Sequence, residues 1–165
     1  MIKHQIYARH SGVPINSRLS IPLIKHCIRS ALDIEKVDVP CEVSVYITSE
    51  RGIRKLNSEF RGIDKPTDVL SFPMQEFSPP GWAKPGPEML QPETGLLALG
   101  DIIISAARIE KQARENAQSI DRETAYLVIH SVLHLLGYDH KDDADGGTQM
   151  RDQEKRILRE IGYGN

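Results

Sequence analysis

The stretch "DRETAYLVIHSVLHLL", residues 121–136, is apolar nearly all round: Ala125, Leu127, Val128, Ile129, Val132, Leu133, Leu135 and Leu136 leave no face for water. A helix of that kind lies in the core, so other elements must cover it on several sides. It also carries His130 and His134, four residues apart and therefore one turn apart on nearly the same face. Two imidazoles in such a helix are either neutral, hydrogen-bonded core residues or ligands for an ion.

The rest of the chain supplies the cover. "IKHQIYA" (2–8) and "CEVSVYIT" (41–48) alternate as half-buried strands do, and "DVLSF" (68–72) and "LGDIIIS" (99–105) read as two more. Ser20 is placed to cap a helix over 21–32, with Pro22 in its first turn and Ile24, Cys27, Ile28 and Ala31 on one face. Ser49 caps a short helix carrying Ile53 and Leu56, and Ser105 one running to about residue 117. An amphipathic helix over 147–161 places Met150, Ile157, Leu158 and Ile161 on one stripe, and Gly162 ends it. The sum is one small mixed α and β domain over residues 1–165, with about four strands and five helices. Its connections leave the strand order open.

Residues 74–98 hold five prolines and three glycines, which opposes regular structure. The expectation is a long surface insertion pinned by Trp82, the only tryptophan, rather than a substrate lid.

Composition narrows the function classes. A formal net charge of −2 argues against coating nucleic acid through bulk charge, while leaving a local basic groove open. Cys27 and Cys41 cannot make a disulfide framework, so a reduced, intracellular protein is expected. No apolar run approaches the roughly 18 residues of a membrane span, and the first residues lack a signal-peptide core. A cytoplasmic location is expected, with no membrane partner.

The helix continues into "HSVLHLLGYDH" (130–140), which adds His140. Six more helical residues at about 100° each would carry His140 roughly 120° away from His134, so the helix must stop between them. Gly137 supplies the stop through the left-handed conformation that ends helices. The spacing H-x-x-x-H-x-x-G-x-x-H resembles that of the metzincin hydrolases with the general-base glutamate absent, its position held by Ser131. Three neutral nitrogen ligands suit one Zn2+ ion, with nickel, cobalt or copper as in vitro alternatives, and leave a coordination position open, as catalytic zinc requires. They would also keep the site close to its full double positive charge. Without the glutamate the protease case weakens. Phosphodiester cleavage needs only an activated water or, in RNA, the ribose 2′-hydroxyl as nucleophile.

A second constellation lies at 51–65, where Arg51, Arg54, Lys55, Arg61 and Lys65 cluster. The first three read as a solvated face. In "FRGIDKPTD" the turn formers Gly62, Asp64 and Pro66 put Arg61 and Lys65 on a loop entering a strand, where Arg61 can clamp a phosphate.

Taken in order, "FRGIDKPTDVLSFP", "LGDIIIS" and "HSVLHLLGYDH" resemble the YbeY family of bacterial endoribonucleases over nearly the whole chain. The pattern departs from the family at Ser131, where glycine is usual. The resemblance implies a zincin-like α+β fold, a mixed sheet with the metal helix beneath it, and zinc on His130, His134 and His140. It implies a single-strand-specific endoribonuclease acting in 16S rRNA 3′-end maturation and ribosome quality control, with Arg61 and His130 in catalytic roles. Its partners would be single-stranded RNA or rRNA and the ribosome or ribosomal proteins, with no DNA. Asp101 belongs to the family's "LGD" motif without an assigned role, and Asp139 either orients a ligand histidine or caps. Two other readings stand beside it. One is a metal hydrolase of another substrate, such as a peptide; the other is a zinc-stabilised module that binds the ribosome without catalysis.

Overall fold

Serines start four of the helices. The Oγ atoms of Ser20, Ser49, Ser105 and Ser119 accept from the backbone N–H groups of Leu23, Gly52, Arg108 and Arg122 at 3.0–3.4 Å. Each such cap contributes about 1 kcal/mol by satisfying an orphan donor. The computed structural model describes residues 1–11, 17–140 and 146–164. Its helices are α1 (Ile21–Ile34), α2 (Glu50–Arg61), α3 (Ala106–Glu115), α4 (Ile120–Leu135) and α5 (Gly146–Glu160). Its strands are β1 (Gln5–His10), β2 (Cys41–Thr48), β3 (Val69–Pro73) and β4 (Leu97–Ser105), with a 3-10 turn at Pro87–Met89.

The expected α+β class is observed, and the sheet is mixed. Its order is β1-β2-β4-β3, with β1, β2 and β4 parallel and β3 antiparallel to β4 at the edge. One face packs Val43, Val45, Ile47, Ile102 and Ile104 into the main core with α1 and α4. The other face is partly covered by α2, whose Ile53 meets Leu70 and Ile103. Layering explains why α4 is apolar all round: the sheet, α1, α3 and α5 all pack on it. Cys27 and Cys41 are buried free thiols, each pushed up to about 12 by that burial. Among the described residues, no helix is long and apolar enough to cross a membrane.

Several boundaries differ from expectation; α1, for one, runs to Ile34 rather than 32. The first strand lies at 5–10 rather than 2–8, because its register is set by pairing with β2. The loop ends at residue 96, since Leu97 and Ala98 join the β4 ladder. Arg61 is the last residue of α2 rather than a loop residue; Gly62, at φ +69°, the first of the turn formers, caps the helix directly after it.

Gly100 brings the site together. Its φ of +145° disfavours side chains, and a Cβ there would collide with the Phe72 carbonyl and with Leu135 of α4. A register shift opposite Glu42 and Val43 accompanies it. Edge strand β3 and the end of α4 can therefore approach closely.

Candidate metal centre

His130 and His134 project from the last two turns of α4, and Gly137 stops the helix where the spacing required. Gly137 lies at φ +91°, and its N–H donates to the His134 carbonyl at 3.0 Å. The Tyr138 N–H donates to the Leu133 carbonyl, also at 3.0 Å. This pair of bonds is a Schellman stop, and it folds the chain back so that His140 stacks against His130 with ring centroids 5.0 Å apart. One ligand nitrogen from each of His130, His134 and His140 lies within 4.8 Å of the others. Neutral nitrogens at about 2.0–2.1 Å from one ion fit that span.

The tautomers give an independent test of the fit. His134 Nδ1 lies 2.8 Å from the Tyr138 carbonyl, which can only accept, so Nδ1 carries the proton. His130 Nδ1 lies 2.6 Å from Glu154 Oε1, a carboxylate that also accepts. Both Nε2 atoms therefore present lone pairs, and they face each other at 3.0 Å. Two acceptors at that distance repel unless a cation lies between them. The donor set fits a metal ion such as zinc. Burial, then the neighbouring His130, lowers the pKa of His134, which keeps that ring in the neutral form a metal needs.

Glu154 is not among the candidates that the motifs single out. It is 4% exposed on α5, with its carboxylate on His130 Nδ1 and 3.8 Å from His140 Nε2. Its signal lies in the pattern all the same, as a carboxylate inside the apolar stripe of Met150, Ile157 and Leu158. Its charge corrects one expectation: the centre is not surrounded by neutral groups alone, and the net positive charge of a loaded site is reduced. The groups seen orienting two of the ring nitrogens are thus the Tyr138 carbonyl and Glu154. Asp139, the sequence candidate for that task, lines the cleft and helps raise the pKa of His134 against the effect of burial.

Ser131 does not face the site. It is fully buried, and its Oγ donates to the Leu127 carbonyl at 2.8 Å inside α4. A glutamate there would point into the core.

The loop at 74–96 buttresses the helix stop. The Phe77 carbonyl and Cβ pack where a Gly137 side chain would be, and the Gly81 N–H donates to the Leu136 carbonyl at 2.9 Å. Trp82 packs on Phe77 at 5.8 Å between centroids, and its Nε1 donates to Asp38 Oδ1 at 2.8 Å. The tryptophan pins the loop, as expected, but the loop serves the turn that carries His140. Tyr138 completes that support by donating its hydroxyl to Glu35 Oε2 at 2.8 Å.

A cleft of about 510 Å³ opens over the histidines, with Arg61, Asp68, Val69, Ser71 and Pro73 on its far wall. Arg61 Nη2 donates to the Ser71 carbonyl at 3.2 Å, which aims the guanidinium along β3. Lys65 does not line this cleft. Arg51, Arg54 and Lys55 line a separate depression on α2, where Arg54 pairs bidentately with Asp64 at 2.8 and 3.0 Å. Asp101 lies on β4 in register with Ser44 and Phe72, outside the cleft lining, and burial raises its pKa.

Fold and site together define a class: an α+β protein with a three-imidazole centre, able to hold a metal ion, at the end of a core helix. Residues 5–162 match the model of the family described as Endoribonuclease YbeY. The protein of that name from Clostridium kluyveri is 42% identical over 159 residues, covering 92% of this chain and 94% of its own length. Its counterpart from Roseiflexus is 39% identical over 149 residues, covering 90% and 88%. The solution structure of TM1509 from Thermotoga maritima superposes with a TM-score of 0.54 at 28% identity, covering 93% of this chain and 91% of that one. The chain belongs to the YbeY family of endoribonucleases.

Proposed function

We propose that this chain is a zinc-dependent endoribonuclease specific for single-stranded RNA, working as one domain over residues 1–165. It would act in the cytoplasm on the 3′ end of 16S rRNA and in ribosome quality control, in contact with the ribosome or its proteins. The observation that carries the reading is the shared cleft, with three metal-competent histidines on one wall and Arg61 on the other. The relatives' name as endoribonucleases supports the RNA substrate.

The chain's own groups divide the work. His130, His134 and His140 would hold zinc, which when bound supplies a Lewis acid for a phosphoryl oxygen and eases deprotonation of the nucleophile. Glu154 and the Tyr138 carbonyl fix two of the rings so that their Nε2 atoms face each other, leaving both lone pairs for a metal. Arg61, held on the Ser71 carbonyl, is placed to bind a non-bridging phosphate oxygen and stabilise the charge that develops in the transition state. Asp68 lies on the same wall as Arg61 and accepts from the Val69 N–H and from Gln112, which fix its carboxylate.

The edge position of β3 favours one other reading, a peptidase that pairs an extended peptide with that strand. Two features count against it. The Ser71 carbonyl on β3 already accepts from Arg61, and Ser131 provides no base. Incubating the protein with single-stranded RNA, duplex RNA and casein, beside His130→Ala and Arg61→Ala, tests both. Cleavage of single-stranded RNA alone, lost in both variants, is expected. Cleavage unchanged in both variants would overturn the site, and casein degradation lost in His130→Ala would favour the peptidase.

A further inference from the structure

A second opening reaches the same centre from the other side. It is a cleft of about 400 Å³ that shares His140 and Glu154 with the metal centre and is otherwise lined by Arg122, Tyr126, Arg151 and Lys155, among others. A further cleft of about 270 Å³ continues from it, sharing Arg122, Lys155 and Leu158 and adding Arg159. The two form one course that starts at the ligand histidine and runs along α5, away from Arg61.

The residues of this course have an unusual pattern. Arg151, Lys155 and Arg159 follow one another at i, i+4 and i+8, so they form a single exposed stripe about 12 Å long. Like charges at i, i+4 destabilise a helix. The neighbouring stripe does the opposite, where Arg156 pairs with Glu160 at 3.2 Å. None of Arg151, Lys155 and Arg159 makes an ion pair among the described residues. The two carboxylates in the lining, Glu123 and Glu154, are buried at 5% and 4% exposure, and Glu154 is committed to His130. The rim of the course is therefore cationic in a chain whose net charge is −2.

From these observations we infer that Arg151, Lys155 and Arg159 form a phosphate track that holds the substrate's backbone on the far side of the scissile bond from Arg61. The inference rests on the single-stranded RNA reading above and deepens it. The strand crosses the metal centre from the Arg61 cleft, passes His140, and continues along α5 with its phosphates against the stripe. Neutralised phosphates release counterions, so affinity from such a track falls with salt.

The test uses the full chain. Binding of a fluorescent single-stranded oligoribonucleotide is measured by anisotropy in EDTA across a salt series, so no metal-dependent turnover enters the readout. Wild type is compared with the triple variant Arg151→Gln, Lys155→Gln, Arg159→Gln and with a control triple at Lys3, Lys25 and Arg29, which line neither cleft of the course. Losing three phosphate contacts should flatten the slope of log K against log salt by about 2, at about 0.7 per contact for single strands. The control should keep the wild-type slope. With zinc restored, the track variant should show a raised KM for long oligonucleotides and an unchanged kcat. The single variant Lys155→Gln, the mildest change, should flatten the slope by about 0.7 and guards against a folding defect in the triple.

A wild-type slope and KM in the track variant, with wild-type cleavage intact, would overturn the track while leaving the function standing. The track is equally overturned if the variant loses only binding to ribosomal particles, which would make the stripe a protein-docking surface. A wild-type protein that neither binds nor cleaves single-stranded RNA would overturn the functional reading and the track with it.

Discussion

The two walls of the cleft are held in opposite ways. The histidine wall comes from eleven consecutive residues, locked by a helix stop, two ring-orienting hydrogen bonds and a buttressing loop. On the opposite wall the cationic group is one long side chain at an exposed helix end, Arg61, steered among the described residues by one hydrogen bond to the Ser71 carbonyl. Partners that orient the rings strengthen a metal site, and on the histidine wall the helix stop and the two ring-orienting bonds supply them. A phosphate that arrives on a flexible strand can be met by a side chain that adjusts. Mutations should therefore separate metal content and stability on one wall from turnover on the other.

The largest effect is expected from His134→Ala. It removes one of the three proposed zinc ligands and should abolish zinc binding in elemental analysis and lower activity by about 10³-fold, the scale of several kcal/mol of lost Lewis-acid stabilisation. Retained zinc would show that the centre does not depend on all three rings. Arg61→Ala is expected to lower kcat/KM by about 10²-fold or more while zinc content and Tm stay at wild-type values. Arg61→Lys should restore only part of that, because an ammonium lacks the planar fork. A drop in Tm in either Arg61 variant would break the contrast between the walls.

Gly137→Val tests the locked wall at its hinge. A β-branched residue at φ +91°, with its Cβ against Phe77, carries about 1–3 kcal/mol of backbone strain. It should misplace His140, lowering zinc occupancy and Tm together. Full occupancy would mean that the stop is not what delivers the third ligand. Glu154→Gln is subtler. The amide can still approach His130 but cannot accept as strongly, and zinc affinity should fall by about 10- to 100-fold in a chelator competition. An unchanged affinity would make Glu154 a packing residue.

The smallest effect concerns pH. His134 has a folded-state pKa below its usual value of 6.5, mainly through burial. The unfolded chain then binds more protons than the folded one as pH falls through 6.5. Its contribution to the stability of the metal-free protein is present above that pH and is lost as pH drops toward the lowered folded value. Thermal melts of zinc-free protein between pH 7.5 and 5 should show a flatter profile for His134→Asn, whose amide can still donate to the Tyr138 carbonyl. An equal slope would place the acid sensitivity elsewhere, with buried His4, whose pKa burial also lowers, as the next group to examine.

Much of the histidine wall is legible in the sequence because its logic is local. Helical period, a glycine three residues past His134 and a third histidine after the turn are relations within eleven positions, and local backbone geometry converts them directly into a cluster of three imidazoles. Arg61 is also visible, though as a loop residue, because turn formers show that a helix ends without fixing at which residue. Glu154 is present in the pattern as a carboxylate inside an apolar stripe, yet its partner is 24 residues away. The loop at 74–96 reads as an insertion, since nothing in its prolines and glycines tells which helix end its carbonyls and N–H groups will meet.

By itself, then, the sequence determined the elements, the core helix and the spacing that gathers three imidazoles, all of which follow from periodicity and from the conformational freedom of one glycine. Only the tertiary structure decided the strand order, the partners that orient His130 and His134, the placement of Arg61 across from them and the second cleft beyond His140. Those relations join residues from different elements, and they exist only once the sheet and its helices have packed around α4.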